Sequence, residues 1–201
     1  MKFSIKGVNV EITFLFTALI AFLISFQAPV NVIITIISSL IHELGHLIMM
    51  CAVENYPQCV RFELTGINII RVSNLKISIK NELLIALGGP FANGIIFVIF
   101  CLASCFYESE LILTIAGINL ILMVFNLLPV KRLDGGMALY FFLSEKLCAE
   151  TISRIINIVS SIFIILIYLW GIYVFVVNSY NFSVIIIAIF LTISMLGNNE
   201  Y

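Results

Sequence analysis

The sequence predicts an all-α polytopic membrane protein of about six transmembrane helices with a small β-meander on the cytoplasmic side, and three observations lead there. Of its 201 residues, 62% are hydrophobic and only 10% are charged, whereas roughly 25% of a soluble domain is charged. Charge is absent from Ile12 to Ile41, Leu83 to Tyr107, Leu111 to Val130 and Ile155 to Asn199, and about 20 apolar residues suffice to cross a bilayer. One of the segments between these runs changes to a period of two, the signature of strands. Little chain is left for a soluble catalytic or nucleotide-binding domain, and a net charge of −1 offers no basic surface for nucleic acid.

The elements follow in chain order. Lys2 and Lys6 ahead of an apolar run resemble a signal peptide, but no small-x-small cleavage site appears before Gln27, Ala28 and Pro29, so a retained first span is expected near 12–27. The turn residues from Gln27 to Asn31 separate it from a second span near 31–53. Val60, Phe62 and Leu64 then alternate with Arg61, Glu63 and Thr65. Gly66, Ile67 and Ile69 and a third apolar stretch at 75–79 follow. Together these predict a β-meander over about 58–80. Phe3, Ile5, Val8 and Val10 supply a further candidate strand on the same side. Spans near 82–106 and 110–129 flank the polar turn from Tyr107 to Glu110. The last apolar run divides at Asn178 to Asn181 into spans near 152–177 and 181–197. The whole chain, 1–201, reads as one domain, with no room expected after the sixth span for a further attached domain.

Lys and Arg near membrane helices are retained on the cytoplasmic side. All ten basic residues fall at the N-terminus, within 54–81, or from Lys131 to Arg154, and the connections near 28–30, 107–110 and 178–181 carry none. A multi-pass membrane protein with both termini cytoplasmic is therefore expected. The five cysteines show no disulfide or zinc-ribbon spacing, and Cys101 and Cys105 are read as small packing residues on one helix face.

The second span contains His42-Glu43-Leu44-Gly45-His46, which includes the only two histidines in the chain. Residues four apart share a helix face, so both imidazoles can bind one zinc ion while Glu43 stands beside the first of them as a general base toward the attacking water. Ionisable groups inside a bilayer are expensive and point to function. A catalytic zinc takes three protein ligands, which leaves one to be found among the cysteines, the loop glutamates and Asp134, the single aspartate. Depth favours Asp134. A rise of about 1.5 Å per residue puts the histidines roughly 17–23 Å into the membrane and Asn126 about 24 Å in. Pro129 then stops the helix so that the chain can turn back. The plainer role for Asp134 is to cap a helix beginning at Gly136.

HELGH in one span, GGPFAN in the next and FNLLPVKRLDGG at the end of a later one resemble the site-2 protease family of intramembrane zinc metalloproteases. The similarity is to the compact bacterial branch that includes the sporulation protease processing a pro-sigma factor. The resemblance implies one zinc ion per chain held by His42, His46 and Asp134, Glu43 as catalytic base and Asn126 as a residue orienting substrate. It also implies a membrane-embedded or membrane-associated protein substrate, and a membrane inhibitor or regulator as a further partner. Gly88, Gly89, Pro90 and Asn93 match the family's small-residue segment and are read as packing against the site. Relatives often carry Pro two before the aspartate, where this chain has Arg132 after Lys131; this pair is read as an interfacial anchor of snorkelling charges. The competing function is a non-catalytic membrane metal carrier or scaffold, which has no need of Glu43.

Overall fold

The computed structural model of the chain describes residues 2–5, 8–12, 29–54, 57–63, 66–71, 78–177 and 182–196, the strands by their backbone. The first expected span therefore lies almost wholly outside the described residues. Four strands and six helices occur among them: β1 (Lys2–Ile5), β2 (Val8–Ile12), α1 (Pro29–Ala52), β3 (Pro57–Glu63), β4 (Gly66–Arg71), α2 (Ile79–Ser104), α3 (Glu110–Asn126), α4 (Asp134–Ser144), α5 (Ala149–Val177) and α6 (Ser183–Leu196). Residues 1–124 and 125–201 form two compact units.

In the first unit the sheet runs in the order β1-β2-β3-β4. β1 and β2 are antiparallel, β3 and β4 are antiparallel with Arg61 opposite Asn68, and β2 joins β3 in parallel with Val10 opposite Val60. The expected meander over 58–80 is thus corrected to a mixed sheet of two hairpins. Its second hairpin lies where the alternation placed it. The other comes from the N-terminus, and a parallel pair brings the two together, since parallel neighbours need a long crossover and here 44 residues including α1 intervene between Ile12 and Pro57. Residues 72–77, which hold most of the third apolar stretch, lie outside the described residues.

The helices have the inverse of a soluble protein's surface. Along α1 the inward row is Ile34, Ser38, His42, His46 and Met50, each four residues after the last, whereas Ile33, Ile37, Leu44 and Ile48 face outward, Ile48 being 65% exposed. On α2, Gly88, Gly89, Pro90 and Asn93 are buried and Phe91, Ile95, Val98 and Leu102 are exposed. Polar groups inside and large apolar groups outside are what hydrocarbon selects. Three helices, Val30–Ala52, Ile79–Ser104 and Ala149–Val177, are long and apolar enough to cross a membrane, and Glu110–Asn126 and Ser183–Met195 are shorter apolar helices. α2 starts where the Ser78 hydroxyl accepts the Asn81 N–H at 3.2 Å and Glu82 lies in the first turn, a cap of the usual kind.

α1 and α2 pack at backbone distance. A Cβ on Gly45 would collide with the Gly88 carbonyl and lie 2.7 Å from the Ala92 Cβ, and one on Gly88 would lie 2.7 Å from the Gly45 carbonyl oxygen. Small residues that admit such an approach are the usual contact between helices in lipid, where burial of apolar surface supplies no net force.

In the second unit a core of Val130, Ile164 and Leu191 is surrounded by Phe125, Leu128, Leu133, Phe163, Ile167, Tyr168 and Met195. It ties the segment after α3 to α5 and α6. α4, an 11-residue helix, is the helix that the sequence offered only from Gly136 onward; it is too short to span a bilayer.

Candidate metal centre

His42, Glu43 and His46 lie on α1, as the i, i+4 spacing requires. Both imidazoles are buried, 6% and 8% exposed, on the face turned to α2. His46 Nδ1 donates to the Ile85 carbonyl at 2.8 Å. Pro90, which has no N–H to donate, leaves open the carbonyl of Ala86, the residue next to Ile85. His42 Nδ1 meets the Asn93 Oδ1 at 3.1 Å. The Asn93 amide nitrogen donates to the Ser38 carbonyl at 3.4 Å and to the Asn119 Oδ1 at 3.2 Å. Since both of those partners accept, the amide is oriented with its oxygen toward His42, which makes His42 Nδ1 the donor.

With a proton held on each Nδ1, both Nε2 atoms are left as acceptors on the same side of the helix pair. They are 3.3 Å apart. Two imidazole acceptors at this distance repel unless a proton or a cation lies between them. The space there is kept open by a missing side chain: a Cβ on Gly89 would collide with His46 Nε2 and lie 2.6 Å from His42 Nε2. Paired Nε2 donors, each with its Nδ1–H fixed on an oxygen acceptor, are the usual protein side of a zinc site. The residues of this unit fit the ion that the sequence implies.

Asn126 and Asp134 belong to the second unit. Asn126 is the last residue of α3 and Asp134 the first of α4, and both are partly buried. Asp134 opens a helix whose cap position, Leu133, makes no side-chain hydrogen bond. The plainer reading of Asp134 as the cap of a helix beginning at Gly136 is not met: Leu133 holds the cap position and Asp134 is the first helical residue, where a carboxylate is favoured by the helix dipole.

The loop before it departs from the sequence reading. Lys131 is 4% exposed and its backbone N–H donates to the buried Ser160 hydroxyl at 2.8 Å. A lysine that snorkels to the interface keeps its head group in water, so Lys131 is not such an anchor. Arg132 is exposed and has φ +73°. Proline holds φ near −65° and cannot take that conformation, so the loop has a shape that the proline common in relatives would not allow.

Two asparagines do more than the sequence motifs assign. Asn93 not only packs against the site but supplies the acceptor that fixes the His42 tautomer. Asn119, fully buried on α3, stands in an apolar run outside the motifs. The available signal was its polarity at the middle of a span. Among the described residues Cys51, Cys101, Cys105 and Cys148 are free.

Residues 108–167 match the family model for peptidase family M50. A zinc metalloprotease of Methanocaldococcus jannaschii is 28% identical over 156 residues, a match covering 72% of this chain and 45% of that protein. The chain thus spans about half the length of this curated relative. The solved structure of the site-2 protease from Methanocaldococcus jannaschii matches with a TM-score of 0.70 and 23% identity, covering 100% of this chain and 98% of that one. The fold is that of the solved site-2 protease. The chain is thus similar over residues 108–167 to peptidase family M50 in sequence, and over its length to the solved site-2 protease in fold.

Proposed function

We propose that this chain is a membrane zinc endopeptidase that hydrolyses a peptide bond in a membrane-embedded or membrane-associated protein. The observation that carries the reading is the pair of buried imidazoles on α1 whose Nε2 atoms converge within 3.3 Å, next to Glu43. His42, His46 and Asp134 would hold one zinc ion, the aspartate being assigned by the motif and by the depth argument above. Zinc bound there supplies Lewis acidity toward a carbonyl oxygen and toward water. Glu43 takes a proton as water adds to the scissile carbonyl. The same carboxyl returns the proton to the amine as the C–N bond breaks. Asn126 holds the substrate backbone in register.

A peptide bond within a helix is shielded by its own turn, so the substrate is drawn out before attack and its backbone needs hydrogen-bonding partners. In the described sheet β4 is an edge strand, which offers them by strand addition. The membrane arrangement belongs to the same reading. Six spans, the first near 12–27, place both termini and the sheet on the cytoplasmic face of a bacterial cell membrane, supported by the position of all ten Lys and Arg residues. Processing of a pro-sigma factor in sporulation is the substrate class suggested by the branch it resembles, with a membrane inhibitor or regulator as second partner.

Glu43→Gln tests the reading against a metal carrier. The amide cannot take the proton from water, so this variant should retain zinc and lose all cleavage of a co-expressed membrane substrate. Substantial chelator-sensitive proteolysis by Glu43→Gln would refute the mechanism.

A further inference from the structure

A polar residue buried in a membrane span has to be satisfied by other protein groups, and Asn119 is satisfied in a way that has direction. Its amide nitrogen donates to the Ile115 carbonyl at 2.9 Å and to the Ser38 hydroxyl at 3.0 Å. The Ile115 carbonyl only accepts, so the amide nitrogen is fixed on that side and Oδ1 is turned toward α2. There it receives the Asn93 amide at 3.2 Å. Rotating the Asn93 amide by half a turn would set its oxygen against two acceptors, the Asn119 Oδ1 and the Ser38 carbonyl. It would also present N–H groups to His42 Nδ1, which would move the ring proton to Nε2 and withdraw the lone pair from the metal side.

We propose that Asn119 is a positioning residue for the metal centre: through Asn93 it holds His42 in the tautomer and ring orientation that ligate the ion. The relay runs from the Ile115 carbonyl through Asn119 and Asn93 to His42, and joins α3 to the metal-binding face of α1. It rests on the zinc reading above and extends it to a residue outside the three sequence motifs. Outer partners that orient a ligating histidine typically contribute 10- to 100-fold to metal affinity. A helix-joining hydrogen bond with no such role would change stability alone.

The test is zinc affinity of the full chain in detergent, by competition with a chelating dye, with thermal unfolding of the metal-free protein measured in parallel. Asn119→Leu should raise the zinc dissociation constant by roughly 10- to 100-fold and alter the visible absorption of the cobalt-substituted protein. Asn93→Leu should do at least as much, and the double variant no more than Asn93→Leu alone, because residues acting in series are not additive. Ser38→Ala, a milder change, should give a smaller loss in the same direction. Unchanged zinc affinity and an unchanged cobalt spectrum in Asn119→Leu and Ser38→Ala, beside a wild-type chain that binds zinc, would overturn the relay alone. Full additivity in the double variant would also overturn it. Failure of the wild-type chain to bind zinc at all would instead sink the metal reading on which the relay rests.

Discussion

Gly89→Ala adds one methyl group to the interior of a helix, a change that on an unobstructed helix stabilises by roughly 0.5–1 kcal/mol. At this position the sign reverses. The new carbon would collide with His46 Nε2 and lie 2.6 Å from His42 Nε2 and 2.7 Å from His42 Cε1, whereas ordinary contact begins at 3.4 Å. The rings must therefore retreat by roughly 1 Å, a displacement of the size that costs about 100-fold where geometry governs function. Both imidazoles are tied at Nδ1 to the Ile85 carbonyl and the Asn93 amide, so neither can yield without losing a buried hydrogen bond. Overpacking of this kind destabilises by about 1–3 kcal/mol, and a 100-fold loss of zinc affinity corresponds to about 2.8 kcal/mol. Gly117→Ala on α3 is the control, since a Cβ there meets nothing within 4 Å. Zinc competition and thermal unfolding of the two variants in detergent form the assay. The control should bind zinc as wild type does and unfold at the same temperature or higher, while Gly89→Ala binds zinc about 100-fold more weakly and melts earlier. Wild-type zinc affinity in Gly89→Ala, with stability matching the control, would refute the argument that both Nε2 atoms share the space beside Gly89.

Two further outcomes follow from the loop and the sheet. Arg132→Pro, which restores the residue common in relatives, should destabilise by more than about 1 kcal/mol because the native φ of +73° is closed to proline; Arg132→Gly should be tolerated, and a proline variant that melts with wild type would show that the left-handed loop is not required. Proline at Asn68 on edge strand β4 should impair cleavage of a membrane-spanning substrate while leaving zinc content intact; unchanged turnover across a proline scan of β4 would remove strand addition from the account.

Apolar length and histidine spacing were legible because each is a local property. The second, third and fourth expected spans differ from α1, α2 and α3 by no more than three residues at either end, since uncharged runs end where charges begin. The spacing of His42 and His46 required no knowledge of the fold. What the sequence concealed was non-local or masked by composition. The parallel pairing of β2 with β3 depends on a crossover that no short window contains. α4 was legible only as the alternative helix from Gly136, because Gly135 and Gly136 are poor helix formers in a stretch too short to register as a span. Lys131 looked like an interfacial charge because its neighbour is Arg132, yet its backbone is held by Ser160, 29 residues later. Asn93 and Asn119 carried one weak signal, polarity amid hydrocarbon, and their roles emerged only with the direction of each hydrogen bond.

The central claim is a single zinc centre made by His42, His46 and Asp134, and metal analysis of the purified chain tests it most directly. Elemental mass spectrometry of detergent-solubilised wild type should give one zinc ion per chain. The same measurement on Asp134→Asn, compared with His42→Ala, should show zinc largely lost from both, because an amide is a far poorer ligand than a carboxylate and two imidazoles alone leave the ion without its third donor. Full zinc occupancy in a folded Asp134→Asn chain would contradict the assignment.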